Sequence, residues 1–117
     1  DGVFPGSLEI YGNVTSLASL ESLTEVHGNI SITELAELTS ISGLEGLTSV
    51  GGNLIIGDWL ADGGNPQLTS LAGLEGLTSV GGYLDISGND QLTSLSGLEG
   101  LASVGGDLDI YQNDQLT

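Results

Sequence analysis

Apolar residues follow two alternating patterns along this chain. The first is a Leu or Ile, an intervening residue and an Ile, which predicts a short strand with two inward side chains. It occurs at 8–10, 30–32, 54–56, 84–86 and 108–110. Between these segments apolar residues recur at every third position, as in Leu92, Leu95, Leu98 and Leu101. This spacing drifts around an α-helix of 3.6 residues per turn, so we expect extended or 3₁₀ pieces that each turn one leucine inward.

The two patterns together form an internal repeat. Units start at residues 8, 30, 54, 84 and 108, with a basic length of 24 residues, one shorter copy and one longer copy. The longer copy carries the extra segment 59–64. No single unit can bury its leucines alone, but stacked units share one core. The sequence therefore predicts one mainly β solenoid over 1–117, with a cap segment at 1–6 and an incomplete last unit.

The charge composition narrows the range of functions. Sixteen Asp and Glu residues stand against no Lys or Arg, which gives a formal charge of -16. Without Lys or Arg side chains, the chain cannot neutralise phosphates, so we expect neither nucleic-acid binding nor direct binding to anionic membranes. Without cysteine, it has no thiol nucleophile, disulfide or thiolate metal site. No basic and apolar leader is visible, so we expect that any signal peptide has been removed.

The repeat register resembles that of a known family. Leucines at every third position, then Val-x-Gly-x-Leu-x-Ile and an Asn shortly after the strand, resemble the leucine-rich repeats of receptor L domains and of related bacterial surface proteins. The resemblance covers residues 6 to 117. It implies a right-handed coil of short parallel strands, an extracellular or cell-surface location, and protein or glycan partners. The chain departs from receptor L domains in lacking their cysteine-capped ends.

The outward positions around the five strands contain the candidate binding residues. All three tyrosines of the chain belong to this set, and Trp59 lies just beyond it in the longer unit. Exposed aromatic residues beside carboxylates are typical of partner-binding surfaces, although tyrosines also simply suit strands. The predicted binding set consists of Glu9, Tyr11, Trp59, Tyr83, Asp85, Asp109 and Tyr111.

Two further sets of polar residues repeat in register. Asn13, Asn65, Asn89 and Asn113 are predicted to stack as a buried ladder that satisfies loop backbone groups, with an interruption at Leu35. Asp85, Asp107 and Asp109 lie on adjacent units, where a bound Ca²⁺ would relieve their repulsion. Asp58 and Asp62 form a second weak calcium candidate. Solvated acids on an exposed face are the alternative in both cases, and no other cofactor is predicted.

Regular threonine rows raise the possibility of ice binding. One row consists of Thr15, Thr39, Thr69, Thr93 and Thr117, and a second consists of Thr24, Thr48 and Thr78. Ice-binding solenoids generally use a Thr-x-Thr strand, whereas here Thr and Ser are adjacent. Hydrogen bonding of the threonine side chains within turns is the alternative role.

Catalysis has little support in the sequence. His27 is the only histidine, at a position that is Gly51, Gly81 or Gly105 in other units. No Gly-x-Ser-x-Gly elbow exists, so we expect no enzyme. Two functions lead, with ice binding as a minor alternative. The first is an extracellular or cell-surface recognition and adhesion module that uses the strand face. The second is a structural subunit of a filament or surface layer that self-associates through the solenoid ends.

Overall fold

Ten short strands alternate between two parallel sheets in the computed structural model, which describes residues 2–57 and 64–116. Trp59, Asp58 and Asp62 lie outside the described residues, as does Thr117. The first sheet contains β1 (Val3–Phe4), β3 (Glu25–Val26), β5 (Ser49–Val50), β7 (Ser79–Val80) and β9 (Ser103–Val104). The second contains β2 (Leu8–Ile10), β4 (Ile30–Ile32), β6 (Leu54–Ile56), β8 (Leu84–Ser87) and β10 (Leu108–Tyr111).

Each sheet pairs strands of successive repeat units in register. Leu8 pairs with Ile30, Ile30 with Leu54, Leu54 with Leu84, and Leu84 with Leu108. The chain is therefore a β-solenoid with coils of about 24 residues, which confirms the predicted fold class. The predicted cap segment contains β1, which pairs with β3 as the edge strand of the first sheet. Pro5 follows β1 directly, where its missing N–H removes no ladder bond.

The three-residue leucine spacing comes from single turns closed by backbone hydrogen bonds. The N–H of Leu47 donates to the carbonyl of Leu44 at 2.9 Å, and equivalent bonds join Leu77 to Leu74 and Leu101 to Leu98 at 3.0 Å. Such an i to i+3 bond has the 3₁₀ period of three residues per turn, which returns every third side chain to the same side. A continuous 3₁₀ helix forms once among the described residues, at Ala18–Leu20.

The inward residues of the middle coils form one continuous apolar core. Leu54, Ile56, Leu74 and Leu84 are all fully buried. Complete burial of such a side chain is worth roughly 1.5–3 kcal/mol. The core opens at β10, where Leu108 is 55 % exposed although its partner Leu84 in β8 is fully covered. Among the residues described, no helix is long and apolar enough to cross a membrane.

In three successive coils the corner between the two sheets has room only for glycine. A Cβ on Gly81 would overlap the carbonyl oxygen of Gly51, and a Cβ on Gly105 would overlap that of Gly81. A Cβ on Gly51 would overlap the carbonyl oxygen of His27. Successive coils therefore touch backbone to backbone at these three positions. His27 holds the same position beside the segment 4–6, where its N–H donates to the carbonyl of Phe4 at 2.9 Å, and it carries a side chain there.

Threonine side chains link successive coils. The hydroxyls of Thr48 and Thr78 donate to the backbone carbonyls of Thr24 and Thr48, both at 3.0 Å. The hydroxyl of Thr69 donates likewise to the carbonyl of Thr39 at 3.4 Å. These bonds run between coils, whereas the sequence predicted bonds within turns.

Acidic residues close the leucine turns. Glu75 accepts the backbone N–H of Gly73 on Oε1 at 2.8 Å, and Glu45 and Glu99 do the same for Gly43 and Gly97 at 2.7 Å. Part of the large negative charge therefore has a structural role.

Candidate functional site

A groove opens on the outer face of the second sheet, beside β2 and β4. It has a volume of about 340 Å³ and is lined by Glu9, Tyr11, Ser31, Thr33, Glu34 and Ile55. This volume falls within the usual range for small-ligand pockets. The lining combines two carboxylates, two hydroxyls, one aromatic ring and one aliphatic side chain. Such a set can accept hydrogen bonds from hydroxyl or ammonium groups while covering an apolar patch of a ligand.

The sheet register brings the groove residues together. Glu9, Ser31 and Ile55 occupy the same row on β2, β4 and β6. Tyr11 and Thr33 follow their strands by one residue, and the N–H of Thr33 donates to the carbonyl of Ile10 at 3.0 Å. Sequence analysis selected Glu9 and Tyr11 but missed Ser31, Thr33, Glu34 and Ile55. The outward position of Ile55 was the available signal, because an isoleucine on a polar face is unusual.

Glu34 adopts a backbone conformation that disfavours side chains. It has φ of 56°, at the corner where Gly12 and Gly88 have φ of 89° and 68°. A non-glycine residue in this left-handed region costs on the order of 1 kcal/mol. The chain therefore places a carboxylate at the groove where glycine would be the unstrained residue. Gln112 has the same conformation at the equivalent corner after β10, with φ of 53°.

A second cluster of predicted site residues lies on the last two coils of the same face. Asp85 and Asp109 are partners on β8 and β10, and Tyr111 pairs with Ser87. The N–H of Leu84 donates to the carbonyl of Asp107, which places Tyr83 beside Asp107 at the start of these strands. Tyr83 and Tyr111 are each 38 % exposed. The structure thus separates Glu9 and Tyr11 from the tyrosines and aspartates of β8 and β10.

The asparagine ladder contains three of the four predicted residues. Asn65, Asn89 and Asn113 are buried. The Nδ2 group of Asn65 donates to Oδ1 of Asn89 at 3.1 Å, and Nδ2 of Asn89 donates to Oδ1 of Asn113 at 3.2 Å. Each Nδ2 also donates to a backbone carbonyl of the preceding coil, those of Ile32, Ile56 and Ile86 respectively.

The prediction for Asn13 was wrong. Asn13 is exposed and follows β2, which is the edge strand of the second sheet. Each ladder asparagine needs a strand carbonyl on the coil before it, and the described residues contain no such strand before β2. In the next coil the ladder position is Leu35, whose backbone N–H donates to Oδ1 of Asn65 at 3.2 Å.

A second ladder at the start of the strands was missed by sequence analysis. Ser7 Oγ accepts the N–H of Asn29, Oδ1 of Asn29 accepts the N–H of Asn53, and Oδ1 of Asn53 accepts the N–H of Tyr83, at 2.8–2.9 Å. The signal was the recurrence of short polar residues immediately before the strands. This ladder fixes the backbone of Tyr83 on the outer face.

Asp85, Asp107 and Asp109, the first set of candidate calcium residues, do not form a group that could hold a metal ion. Within 2–57 and 64–116, no group of three His, Cys, Asp or Glu residues is arranged to hold a metal ion. Asp107 and Asp109 are exposed. The second candidate, Asp58 with Asp62, lies outside the described residues.

His27 lies apart from both clusters. Its Nε2 is 4.0 Å from a carboxylate oxygen of Glu25, and the side chains of His27 and Glu25 are 59 % and 42 % exposed. Because Glu25 belongs to β3 and the groove to the second sheet, this pair supplies no proton-transfer group to the groove.

No family model, curated protein or solved structure matches the chain. Its function must therefore be inferred from the geometry of the outer face.

Proposed function

We propose that the solenoid is an extracellular or cell-surface recognition module that binds a glycan in the groove of the second sheet. The observation that carries this proposal is the groove of about 340 Å³ lined by Glu9, Tyr11 and Glu34. The resemblance to leucine-rich repeats of receptor L domains supports the location and the class of partner.

The chemistry of the groove favours a polyhydroxylated ligand. The carboxylates of Glu9 and Glu34 can accept hydrogen bonds from vicinal hydroxyls, and charge-assisted bonds of this kind are about twice as strong as neutral ones. The ring of Tyr11, which is 61 % exposed, offers a flat apolar surface to the C–H face of a sugar. The side chain of Ile55 extends the apolar part of the lining.

The net charge favours a neutral or amino-substituted sugar. With a formal charge of -16 and no base, the chain repels sulfated and carboxylated glycans. An ammonium group on the sugar would be attracted to Glu9 and Glu34.

The backbone strain at Glu34 provides a clean test. Glu34→Gly removes the carboxylate and also relieves the backbone strain of the positive φ, so it is not expected to destabilise the fold. A loss of binding would therefore be due to the lost carboxylate. Gln112→Gly gives the same backbone relief outside the groove and is the matched control. Wild type and variants are applied to an array of neutral and amino-sugar oligosaccharides, and the bound oligosaccharide is then titrated by calorimetry.

Glu34→Gly and Tyr11→Ala are each expected to weaken binding roughly tenfold, as expected for the loss of a charged hydrogen bond or an aromatic contact. Gln112→Gly is expected to bind as wild type. The proposal is overturned if the array shows no binding, or if binding survives both groove substitutions.

The cluster on β8 and β10 favours a second candidate, a basic protein partner. Exposed Tyr83 and Tyr111 lie around Asp85, Asp107 and Asp109, and tyrosines are enriched in protein interfaces. Binding of a lysine-rich peptide would weaken steeply with salt and would be reduced by Tyr83→Ala with Tyr111→Ala, without unfolding the domain. Binding of a neutral glycan in the groove would be insensitive to both changes.

A further inference from the structure

One asparagine outside the buried ladder lies in an acceptor sequence for N-linked glycans. Asn29 is followed by Ile30 and Ser31, which fits the pattern Asn-x-Ser/Thr with a central residue other than proline. We propose that Asn29 is N-glycosylated on its Nδ2 atom. This inference rests on the extracellular location proposed above, and it does not depend on glycan binding in the groove.

Asn29 is exposed at an inner strand of the second sheet. It immediately precedes β4, which pairs with β2 on one side and with β6 on the other. Its exposure therefore comes from its position on the outer face and not from an open edge. A glycan is bulky and hydrophilic and needs such a surface position. Ser31 lies two residues further along the same face and lines the groove, so the glycan would stand beside the groove.

The fold uses only the oxygen of the Asn29 side-chain amide. Oδ1 of Asn29 accepts the backbone N–H of Asn53 at 2.8 Å. Nδ2 of Asn29 makes no hydrogen bond to any residue within 2–57 and 64–116. Glycosylation replaces one hydrogen of Nδ2 and leaves Oδ1 as an acceptor. The modified side chain therefore keeps the hydrogen bond that links its coil to the next one.

The buried ladder asparagines have neither the accessible amide nor the acceptor sequence. Nδ2 of Asn89 donates to the carbonyl of Ile56 at 3.0 Å and to Oδ1 of Asn113 at 3.2 Å, and Asn89 is fully buried. The residue two positions after each ladder asparagine is a glutamine: Gln67, Gln91 and Gln115. These asparagines are therefore expected to stay unmodified.

Asn53 is a natural comparison for Asn29. Its Oδ1 accepts the backbone N–H of Tyr83 at 2.9 Å, which is the same bond one coil further along. The residue two positions after Asn53 is Ile55, which has no hydroxyl. Asn53 thus has the hydrogen bond of Asn29 without its acceptor sequence.

The transfer is a displacement at the anomeric carbon of an oligosaccharide carried by a lipid pyrophosphate. Nδ2 of Asn29 forms a bond to this carbon, the bond from the carbon to the pyrophosphate oxygen breaks, and the lipid pyrophosphate leaves. Nδ2 loses one proton to the transferase, and nothing is oxidised or reduced. Because β4 is paired on both sides in the fold, we expect transfer before its strands pair. The folded structure then accommodates the glycan on the outer face.

The first test is mass spectrometry of the 117-residue chain after secretion from eukaryotic cells. Trypsin cannot be used because the chain has no Lys or Arg, but cleavage after Glu25 and Glu34 releases the segment 26–34, in which Asn29 is the only asparagine. We expect this segment to carry an oligosaccharide that is released by an amidase specific for N-linked glycans. All chains carry Asn13→Gln, because Asn13-Val14-Thr15 is a second acceptor sequence.

The second test changes the acceptor sequence without changing Asn29. Ser31→Ala should abolish glycosylation of Asn29, and Ser31→Thr should retain it. Ile55→Thr supplies the missing hydroxyl two residues after Asn53 and should add a glycan there. The glycosylated chain should unfold at the same urea concentration as the unglycosylated chain produced in bacteria, since Oδ1 of Asn29 remains an acceptor.

Three results would overturn the proposal. They are a segment 26–34 without a glycan in the secreted chain, a glycan on Asn29 that persists in Ser31→Ala, and a glycosylated chain that unfolds at a clearly lower urea concentration. The unglycosylated chain is the form applied to the oligosaccharide array, so the groove proposal and the glycosylation proposal can fail separately.

Discussion

The side-chain amide of Asn89 is bonded on both sides, because its Nδ2 donates to Oδ1 of Asn113 at 3.2 Å while its Oδ1 accepts Nδ2 of Asn65 at 3.1 Å. Nδ2 also donates to the carbonyl of Ile56 at 3.0 Å. A single buried residue therefore ties three coils together. Its removal leaves several polar groups without partners in a place that water cannot reach.

Asn89→Ala is expected to destabilise the domain by about 3 kcal/mol or more, since three hydrogen bonds are lost and their partners stay buried. Asn13→Ala is the matched control, because Asn13 is exposed and its change should lie within about 0.5 kcal/mol. Urea denaturation at a concentration where the chain is monomeric measures both. Equal changes in the free energy of unfolding for Asn89→Ala and Asn13→Ala would show that the ladder hydrogen bonds do not stabilise the domain.

Leu35→Asn tests whether the ladder can be extended. Leu35 is fully buried at the ladder position, and its N–H already bonds to Oδ1 of Asn65. The side-chain amide of the new asparagine would bond to the carbonyl of Ile10 and the amide of Asn65. These hydrogen bonds offset part of the stability that is lost with the apolar burial of the leucine. Leu92→Asn buries the same amide away from the ladder. We expect Leu35→Asn to be less destabilising by about 2 kcal/mol in chemical denaturation, and equal losses would contradict this.

Gly73→Ala tests the close approach of neighbouring coils at the leucine turn. Gly73 has φ of 120°, and a Cβ there would lie 2.5 Å from the carbonyl oxygen of Ile41. Gly12 also has a positive φ, of 89°, but no atom lies within 4 Å of a Cβ there. Gly12→Ala should cost about 1 kcal/mol from backbone strain alone, and Gly73→Ala clearly more. Thermal unfolding of the two variants separates steric overlap from strain.

Asp109→Asn is expected to stabilise the domain at low salt by a few tenths to about 1 kcal/mol, since Asp109 and Asp85 are directly opposite partners in the sheet. The gain should disappear near 1 M salt, where the screening length is about 3 Å. Asp114→Asn removes the same charge from an exposed loop and is the control. A stabilisation that persists at high salt would indicate a cause other than repulsion.

Much of the second sheet could be predicted because its strands repeat a three-residue apolar signature at a nearly constant interval. The first sheet was missed because its strands, such as Ser49–Val50, contain two residues, too few to show an alternation. The groove was missed because Glu34 and Ile55 come from different coils and carry no common motif. The burial of a ladder asparagine depends on the coil before it, so Asn13 could not be distinguished from Asn89 by its own surroundings in the sequence.

The glycine corner sets a rule for how this chain can be lengthened. Gly51, Gly81 and Gly105 each pass so close to the carbonyl of the preceding coil that a Cβ is excluded. Whether a side chain is tolerated at these corners therefore depends on the backbone of the neighbouring coil, 24 or 30 residues earlier in the sequence. It does not depend on the chemistry of the coil that carries the glycine. A duplicated coil can vary its outer surface for new ligands, but its corner residue must be glycine wherever it stacks on the preceding coil as closely as Gly51 stacks on His27.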